Sequence, residues 1–311
     1  MKTSKNKSKS LIIFLIASSS FYGCAPKSEI LPGTENSEFG DNVNPPTETQ
    51  TLPTIPKPSL TLYTNQLKDL AAKSSCAKVN WTSRGRSPAG YTKGMALSYA
   101  RSVCRLKAIG VPKPAAAVVL ASANSNDAKK DVLAHYQDIL SRLGFITNDT
   151  GENPLHATYT IGMGLGMKES SGKYCEGWDV AAGSNRTSSE AEAGLFQASF
   201  DSIKASNELT RLYDEYMKNP KRCLLEVFKE GANCKARGVL GSGEGAKYQE
   251  FNLKCPAFAT EYAMTLIRLR RSHFGPINRR TAQVSPACES MLTEVQKIIN
   301  LNPETACKEL F

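Results

Sequence analysis

Residues 157–201 carry the side chains whose types and spacing bear most directly on chemistry. Gly162, Gly164 and Gly166 interrupt a helical pattern, where each costs about 1 kcal/mol relative to alanine, so close packing must offset them. Gly162 and Gly166 share a helical face and would admit an approaching backbone. Ser170, Ser171 and Gly172 end that helix, with Gly172 suited to a left-handed cap. Glu169 then lies in the last turn, where the negative end of the helix dipole opposes its ionisation. Met163, Leu165 and Met167 supply an apolar surround. Both effects raise a carboxyl pKa, and a carboxylic acid that stays protonated near neutral pH is equipped for general acid catalysis. Taken alone, Glu169 is equally well explained as a surface glutamate at a helix end.

The context favours chemistry. The tetrapeptide Glu169-Ser170-Ser171-Gly172 is followed, 25 residues on from Glu169, by Gly194-Leu195-Phe196-Gln197. This pair resembles the motifs of the lysozyme-like superfamily, lytic transglycosylases and goose-type lysozymes in particular. In that family a glutamate opens an E-S-x-G or E-S-x-x-G stretch and G-L-M-Q follows; Phe196 stands here in place of the methionine. The likeness covers residues 169–197 of 311, so it speaks to the site more than to the whole architecture.

The resemblance implies a mainly α, lysozyme-like (α+β) domain with a substrate cleft over residues 61–311. Its activity would be cleavage of the β-1,4 bond between amino sugars of peptidoglycan, with no cofactor. Glu169 would protonate the glycosidic oxygen and Gln197 would hydrogen-bond the glycan strand. Ser170 and Ser171 would support the cleft floor, and Tyr262 or Tyr248 would supply the tyrosine that such enzymes place near the acid. A non-catalytic wall-binding lipoprotein on the same scaffold is the alternative. Some lysozyme-like enzymes of predatory bacteria select deacetylated peptidoglycan, and no single residue here selects between the two glycans.

The second carboxylate decides the reaction. Goose-type lysozymes carry aspartates in the loop after the acid and just beyond the glutamine, but the position two beyond Gln197 is Ser199. Glu192 is the first candidate, because it lies two residues before Gly194; Asp179 and Glu190 are the alternatives. A separation of about 6.5–9.5 Å from Glu169 would admit a water and an inverting hydrolysis, and about 5–5.5 Å a covalent intermediate. With neither, the substrate's own 6-hydroxyl attacks, as in lytic transglycosylases. Three extra acids in the motif loop favour the hydrolase. Ser170 and Lys173 also form a Ser-x-x-Lys, but the Ser-Asp-Asn and Lys-Thr-Gly companions of serine acyl-transfer enzymes are absent.

The elements that must position these residues read as helices. Apolar spacing predicts helices over 91–108, 127–143, 157–171, 206–218, 257–273 and 289–299, with a small β element in 173–193. Asn126 or Asp127 would cap the second of these and Gly144 would end it. No internal repeat is present, and Gly241–Lys247, which lacks the ending of a phosphate loop, reads as a flexible surface or cleft-edge loop.

Lys2, Lys5, Lys7 and Lys9 precede a short apolar run, Leu11–Ala17, and then Phe21-Tyr22-Gly23-Cys24. This is the pattern of an export signal over 1–23. The small residue before Cys24 resembles a lipobox, which would make Cys24 a lipidated first residue and the membrane a partner; secretion without lipid is the other route. Residues 24–60 hold seven of the sixteen prolines and read as a disordered tether. Setting Cys24 aside leaves eight cysteines, the arithmetic of four disulfides in an exported chain, and Cys223–Cys234 and Cys288–Cys307 are the expected close pairs. There is no Cys-x-x-Cys and the three histidines are scattered, which disfavours a metal site.

The formal net charge is +10. The surplus suits an anionic wall, whereas the basic residues lack the aromatic interleaving of a nucleic-acid module, so no nucleic-acid partner is expected. Within 168–201 the sign reverses: Glu169, Glu176, Asp179, Glu190, Glu192 and Asp201 face only Lys168, Lys173 and Arg186. An acidic cleft of this kind would accommodate, and favour, the ammonium groups of deacetylated glycan.

Overall fold

The structure is a computed structural model that describes residues 62–108, 115–180, 185–235 and 238–311. The expected signal 1–23, lipidation at Cys24 and tether 24–60 lie outside the described residues. The described chain is mainly helical. In order it runs α1 (Leu62–Lys73), α2 (Ala89–Lys107), α3 (Ala115–Ala121), α4 (Val132–His135), α5 (Gln137–Arg142) and α6 (Glu152–Ser170). A two-stranded hairpin follows, β1 (Glu192–Ala193) and β2 (Ala198–Ser199). Then come α7 (Asn207–Lys218), α8 (Leu225–Phe228), α9 (Gly243–Lys254), α10 (Pro256–Leu269), α11 (Gly275–Asn278), α12 (Pro286–Leu301) and α13 (Pro303–Leu310). Among the described residues no helix is long and apolar enough to cross a membrane.

Helix α6 is the axis of the core. Every residue from Pro154 to Met167 is buried, and α2, α3, α10 and α12 pack around it. A helix enclosed on all sides needs small residues where neighbours come closest, and this gives the three glycines their purpose. The expected backbone approach occurs at Gly164, where a Cβ would sit 2.0 Å from the Gln283 carbonyl oxygen. Gly162 and Gly166 instead admit side chains: a Cβ would meet Met264 Sδ at 2.2 Å on the former and the Tyr91 hydroxyl at 2.5 Å on the latter. Tyr91 in turn donates to the Met163 carbonyl at 2.7 Å.

The helix expected over 127–143 is two short helices broken at Tyr136. Its cap is neither Asn126 nor Asp127 but Asp131, whose carboxylate accepts from the Leu133 amide at 3.0 Å. Asp131 is held there by Arg268 of α10, whose Nε donates to it at 2.8 Å. The same guanidinium donates to the carbonyls of Leu120, Ser122 and Ala123 at 3.0–3.1 Å, closing the end of α3. Both charges are essentially sealed from solvent. Arg268→Ala would strip a buried carboxylate of its counter-charge and those three carbonyls of a donor, so chemical denaturation should show a loss of about 3–5 kcal/mol; a loss under about 1 kcal/mol would place the pair in contact with water.

Four disulfides join Cys76 to Cys288, Cys104 to Cys307, Cys175 to Cys234 and Cys223 to Cys255. The two pairs expected from closeness in sequence are thus both incorrect. Cys288 and Cys307 lie on α12 and α13, and the rest of α12, at 1.5 Å per residue, carries the chain about 20 Å from Cys288 before α13 begins. Cys223 turns instead to the junction of α9 and α10, and Cys234 to the loop after α6. Four bridges fit an oxidising, extracytoplasmic environment. The segment expected to be a flexible loop at 241–247 is also ordered differently, because Gly243 begins α9. A Cβ at Gly245 would come within 2.4 Å of the Ser188 backbone, so this helix seats directly on the loop before β1.

Candidate active site

Helix α6 stops one residue after Glu169. Ser171 and Gly172 both take left-handed backbone (φ 57° and 73°), and their amides donate back to the Met167 and Gly166 carbonyls at 3.0 and 3.2 Å. The Glu169 carboxyl therefore emerges at the end of a rigid, buried rod. A tight turn over 81–85 closes beside it, with paired Trp81 and Gly85 amide–carbonyl bonds of 2.9 and 3.1 Å. Lys168 donates to the Thr82 carbonyl at 3.1 Å, and the Arg84 guanidinium donates to the Lys168 carbonyl, one of the carbonyls that a helix end leaves without an internal partner.

The second motif forms the hairpin. Gly194 and Gln197 stand at the two ends of its turn with φ of 82° and 50°, the Gln197 amide donating to the Gly194 carbonyl at 3.2 Å. Gly194 is required twice: its φ is strained for any side chain, and a Cβ would lie 2.9 Å from Asn252 Cβ. Leu195 and Phe196 bury into the core, Phe196 reaching Gly166 of α6, so hairpin and acid-bearing helix are locked together. Gln197 is buried; its side-chain amide donates to the carbonyls of Gly194 at 2.9 Å and Glu176 at 3.2 Å. The Gly194 amide also donates to the Glu176 carbonyl, at 2.7 Å, and the Cys175–Cys234 disulfide holds the adjoining residue. Loop 176–179 is thereby fastened to the turn.

These segments enclose a cavity of about 330 Å³. Glu169, Glu192 and Gln197 line it together with Glu176, Gly177 and Asp179 of the fastened loop. Arg84, Lys168, Pro276 and Arg279 complete the lining. Burial, and next the charge of Glu192, raise the Glu169 carboxyl to a pKa of about 8, against the opposing pull of Arg84 and Arg279. Burial also raises Glu192, which Arg186 partly offsets and Asp179 reinforces. At neutral pH the arrangement thus presents a protonated Glu169 beside a second carboxyl whose pKa is also raised. The register of the hairpin puts Glu192 directly opposite Ser199. Opposed residues project from the same face of a sheet, so the strand before the turn supplies a carboxylate where the strand after it carries only a hydroxyl.

Other expected site residues lie elsewhere. Glu190 is exposed and is not part of the lining; its carboxylate accepts from the Thr187 amide and hydroxyl at 2.9 Å, which lowers its pKa. Ser171 serves as the helix cap and does not line the cavity, and Ser170 donates to the Gly166 carbonyl at 3.1 Å. Tyr248 and Tyr262 are fully buried in an aromatic cluster with Phe258, and Tyr262 shares a 2.7 Å hydrogen bond with Ser202. Neither ring is among the cavity-lining residues. In the opposite direction, Arg84 and Arg279 line the cavity without any sequence signal that pointed to them, because they join it from segments about 85 and 110 residues away in the chain.

The charge expectation changes with them. The acidic stretch does line the cavity with four carboxyls, but Arg84 and Arg279 join Lys168 there. With Glu169 protonated, three acids meet three bases, so the cleft is amphoteric and not acidic. Among the described residues, no group of three or more His, Cys, Asp or Glu side chains is placed to hold a metal ion. No family model matches the chain, and no curated protein or solved structure shows detectable similarity to it.

Proposed function

We propose that the protein is an exported glycosidase of lysozyme-like fold that hydrolyses the β-1,4 bond between amino sugars of peptidoglycan, with Glu169 as general acid. The observation that carries this reading is one cavity lined at once by a half-buried carboxyl raised to about 8, a second carboxylate and the motif glutamine. A glycosidic oxygen needs a proton as the bond breaks, and Glu169 holds one at neutral pH. Glu192, across the hairpin from Ser199, would in its ionised form activate a water on the other face of the sugar. Gln197, its side-chain amide held by two carbonyls, would accept from the glycan through its side-chain oxygen. Lipid anchoring through Cys24 would keep such an enzyme on the envelope it acts near. Deacetylated glycan would be favoured through Asp179 and Glu192, a preference that the three basic residues of the same cavity reduce.

Purified cell walls incubated with wild type and with Glu169→Gln test the reading: equal release of soluble fragments sinks it. Wall binding with no reducing ends or anhydro sugar formed would mark a non-catalytic binder instead. Mass spectrometry of the products separates hydrolysis, which adds a water, from the lighter anhydro products of a transglycosylase. Glu192→Gln is expected to lower hydrolysis by at least about a hundredfold, the usual span for a positioned acid–base group. It also removes the neighbouring charge that raises Glu169, so the residual activity should fall along an alkaline limb that lies at a lower pH than in wild type. Anhydro products with little change in rate would transfer the reaction to the substrate's own hydroxyl.

A further inference from the structure

Arg84 and Arg279 stand out among the arginines of the fold. The buried arginines are spent on carboxylates, as with Arg268 on Asp131 and Arg105 on Glu215. Arg280, next in sequence to Arg279, pairs with Asp138 and covers the Tyr136 ring. Arg84 and Arg279, by contrast, make no ion pair among the described residues, yet both line the cavity that holds Glu169 and both act electrostatically on it.

Each is also placed by the backbone. Arg84 sits on the closed 81–85 turn, uses one nitrogen to cap the Lys168 carbonyl and lines the cavity. Arg279 follows α11, its amide bonded to the Gly275 carbonyl at 3.0 Å. A Cβ at Gly275 would lie 3.0 Å from Arg279 Nη1, so the glycine leaves the guanidinium room over the start of that helix. A guanidinium presents a planar fork that matches a carboxylate with two parallel hydrogen bonds.

We propose that Arg84 and Arg279 form an anion subsite of the cleft that takes a carboxylate of the bound strand. The proposal rests on the glycan-binding reading of the cavity and names the substrate group its basic side recognises. The carboxylate has two sources in a peptidoglycan strand: the lactyl group of a sugar that carries no peptide, and the carboxylates of the peptide stem. The acids on the 176–179 loop and β1 then attend the sugar amines, and the two arginines the acidic substituents, which gives the amphoteric lining a division of labour.

The test is binding, read in a Glu169→Gln background so that no cleavage occurs and so that the effect of the arginines on Glu169 ionisation plays no part. Arg84→Gln/Arg279→Gln in that background is compared with the background alone on three soluble probes. These are glycan strands freed of stems, strands with stems intact, and protonated glucosamine oligomers that carry no carboxylate. The double variant should lose about tenfold in affinity for one or both of the carboxylate-bearing strands, the usual worth of charged hydrogen bonds. It should bind the cationic oligomers no more weakly, and about twofold more tightly, since two repelling charges are gone. Loss on stem-free strands alone assigns the lactyl carboxylate, and loss on stem-bearing strands alone assigns the stem. Equal weakening on all three probes, as misfolding would produce, overturns the subsite, as does no weakening on either anionic strand. Fragment release by the Glu169-bearing enzyme is scored separately, so a cutting enzyme without the subsite and a non-cutting protein with it are distinguishable.

Discussion

Replacing Glu169 by glutamine is expected to lower fragment release from purified walls by about a hundredfold to ten-thousandfold, the range of a positioned general acid, and at the same time to stabilise the fold at alkaline pH. The two effects share one cause. Burial and the charge of Glu192 raise this carboxyl from an ordinary 4.5 to about 8. The folded state therefore holds the proton more tightly than the unfolded chain does. Stability from this group is complete below about pH 4.5 and is lost as pH rises through 8. A shift of that size corresponds to at most about 5 kcal/mol, and solvent at the exposed part of the side chain reduces it. Glutamine keeps the shape and has no proton to lose. The Tm of the variant should match wild type near pH 4 and exceed it at pH 9. Wild-type activity should fall along an alkaline limb near pH 8, and Glu169→Gln should erase that limb. A Tm difference independent of pH would show that Glu169 titrates normally and would remove the physical basis for its proposed role as acid.

Reduction of the four disulfides is expected to cost more stability than any single side chain. The Cys76–Cys288 and Cys104–Cys307 bridges span sequence separations of 212 and 203 residues. On the chain-entropy account a loop of that length is worth up to about 5 kcal/mol each, because the cross-link denies the unfolded chain most of its freedom. A domain of this size has a margin of only about 5–15 kcal/mol, so losing both long bridges removes most of it. Thermal melts with and without a thiol reductant should differ by tens of degrees or show no cooperative transition once reduced; a shift of only a few degrees would mean that the helical core suffices alone. The Cys175–Cys234 bridge has a second role. It anchors the loop that carries Glu176 and Asp179 to the cavity, so Cys175→Ser/Cys234→Ser should depress wall cleavage further than its effect on Tm explains.

Much of this arrangement is legible in the chain. The expected helices over 91–108, 157–171, 206–218, 257–273 and 289–299 correspond to α2, α6, α7, α10 and α12, because each has a long apolar stripe and local end signals. The small β element begins within the expected window, at Glu192, and pairs with residues beyond it. The start of the helix expected over 127–143 was not legible, since Arg268 of a distant helix holds Asp131, and not Asn126 or Asp127, as its cap. Short helices such as α8 and α13 carry too few turns to announce themselves by periodicity.

Local order determined the position of Glu169: the glycine-bearing helix and its Ser-Ser-Gly stop place that carboxyl at a helix end whatever surrounds it. The same applies to the Gly194–Gln197 turn and to the number of cysteines available for bridging. Only the tertiary structure decided which cysteines pair, that Glu190, Tyr248 and Tyr262 stay away from the cavity lining while Glu192 joins it, and that Arg84 and Arg279 turn an acidic stretch into an amphoteric cleft. Helix ends and tight turns follow from steric preferences within a few residues, whereas pairing, burial and the net field of a cavity depend on which distant segments the core brings together.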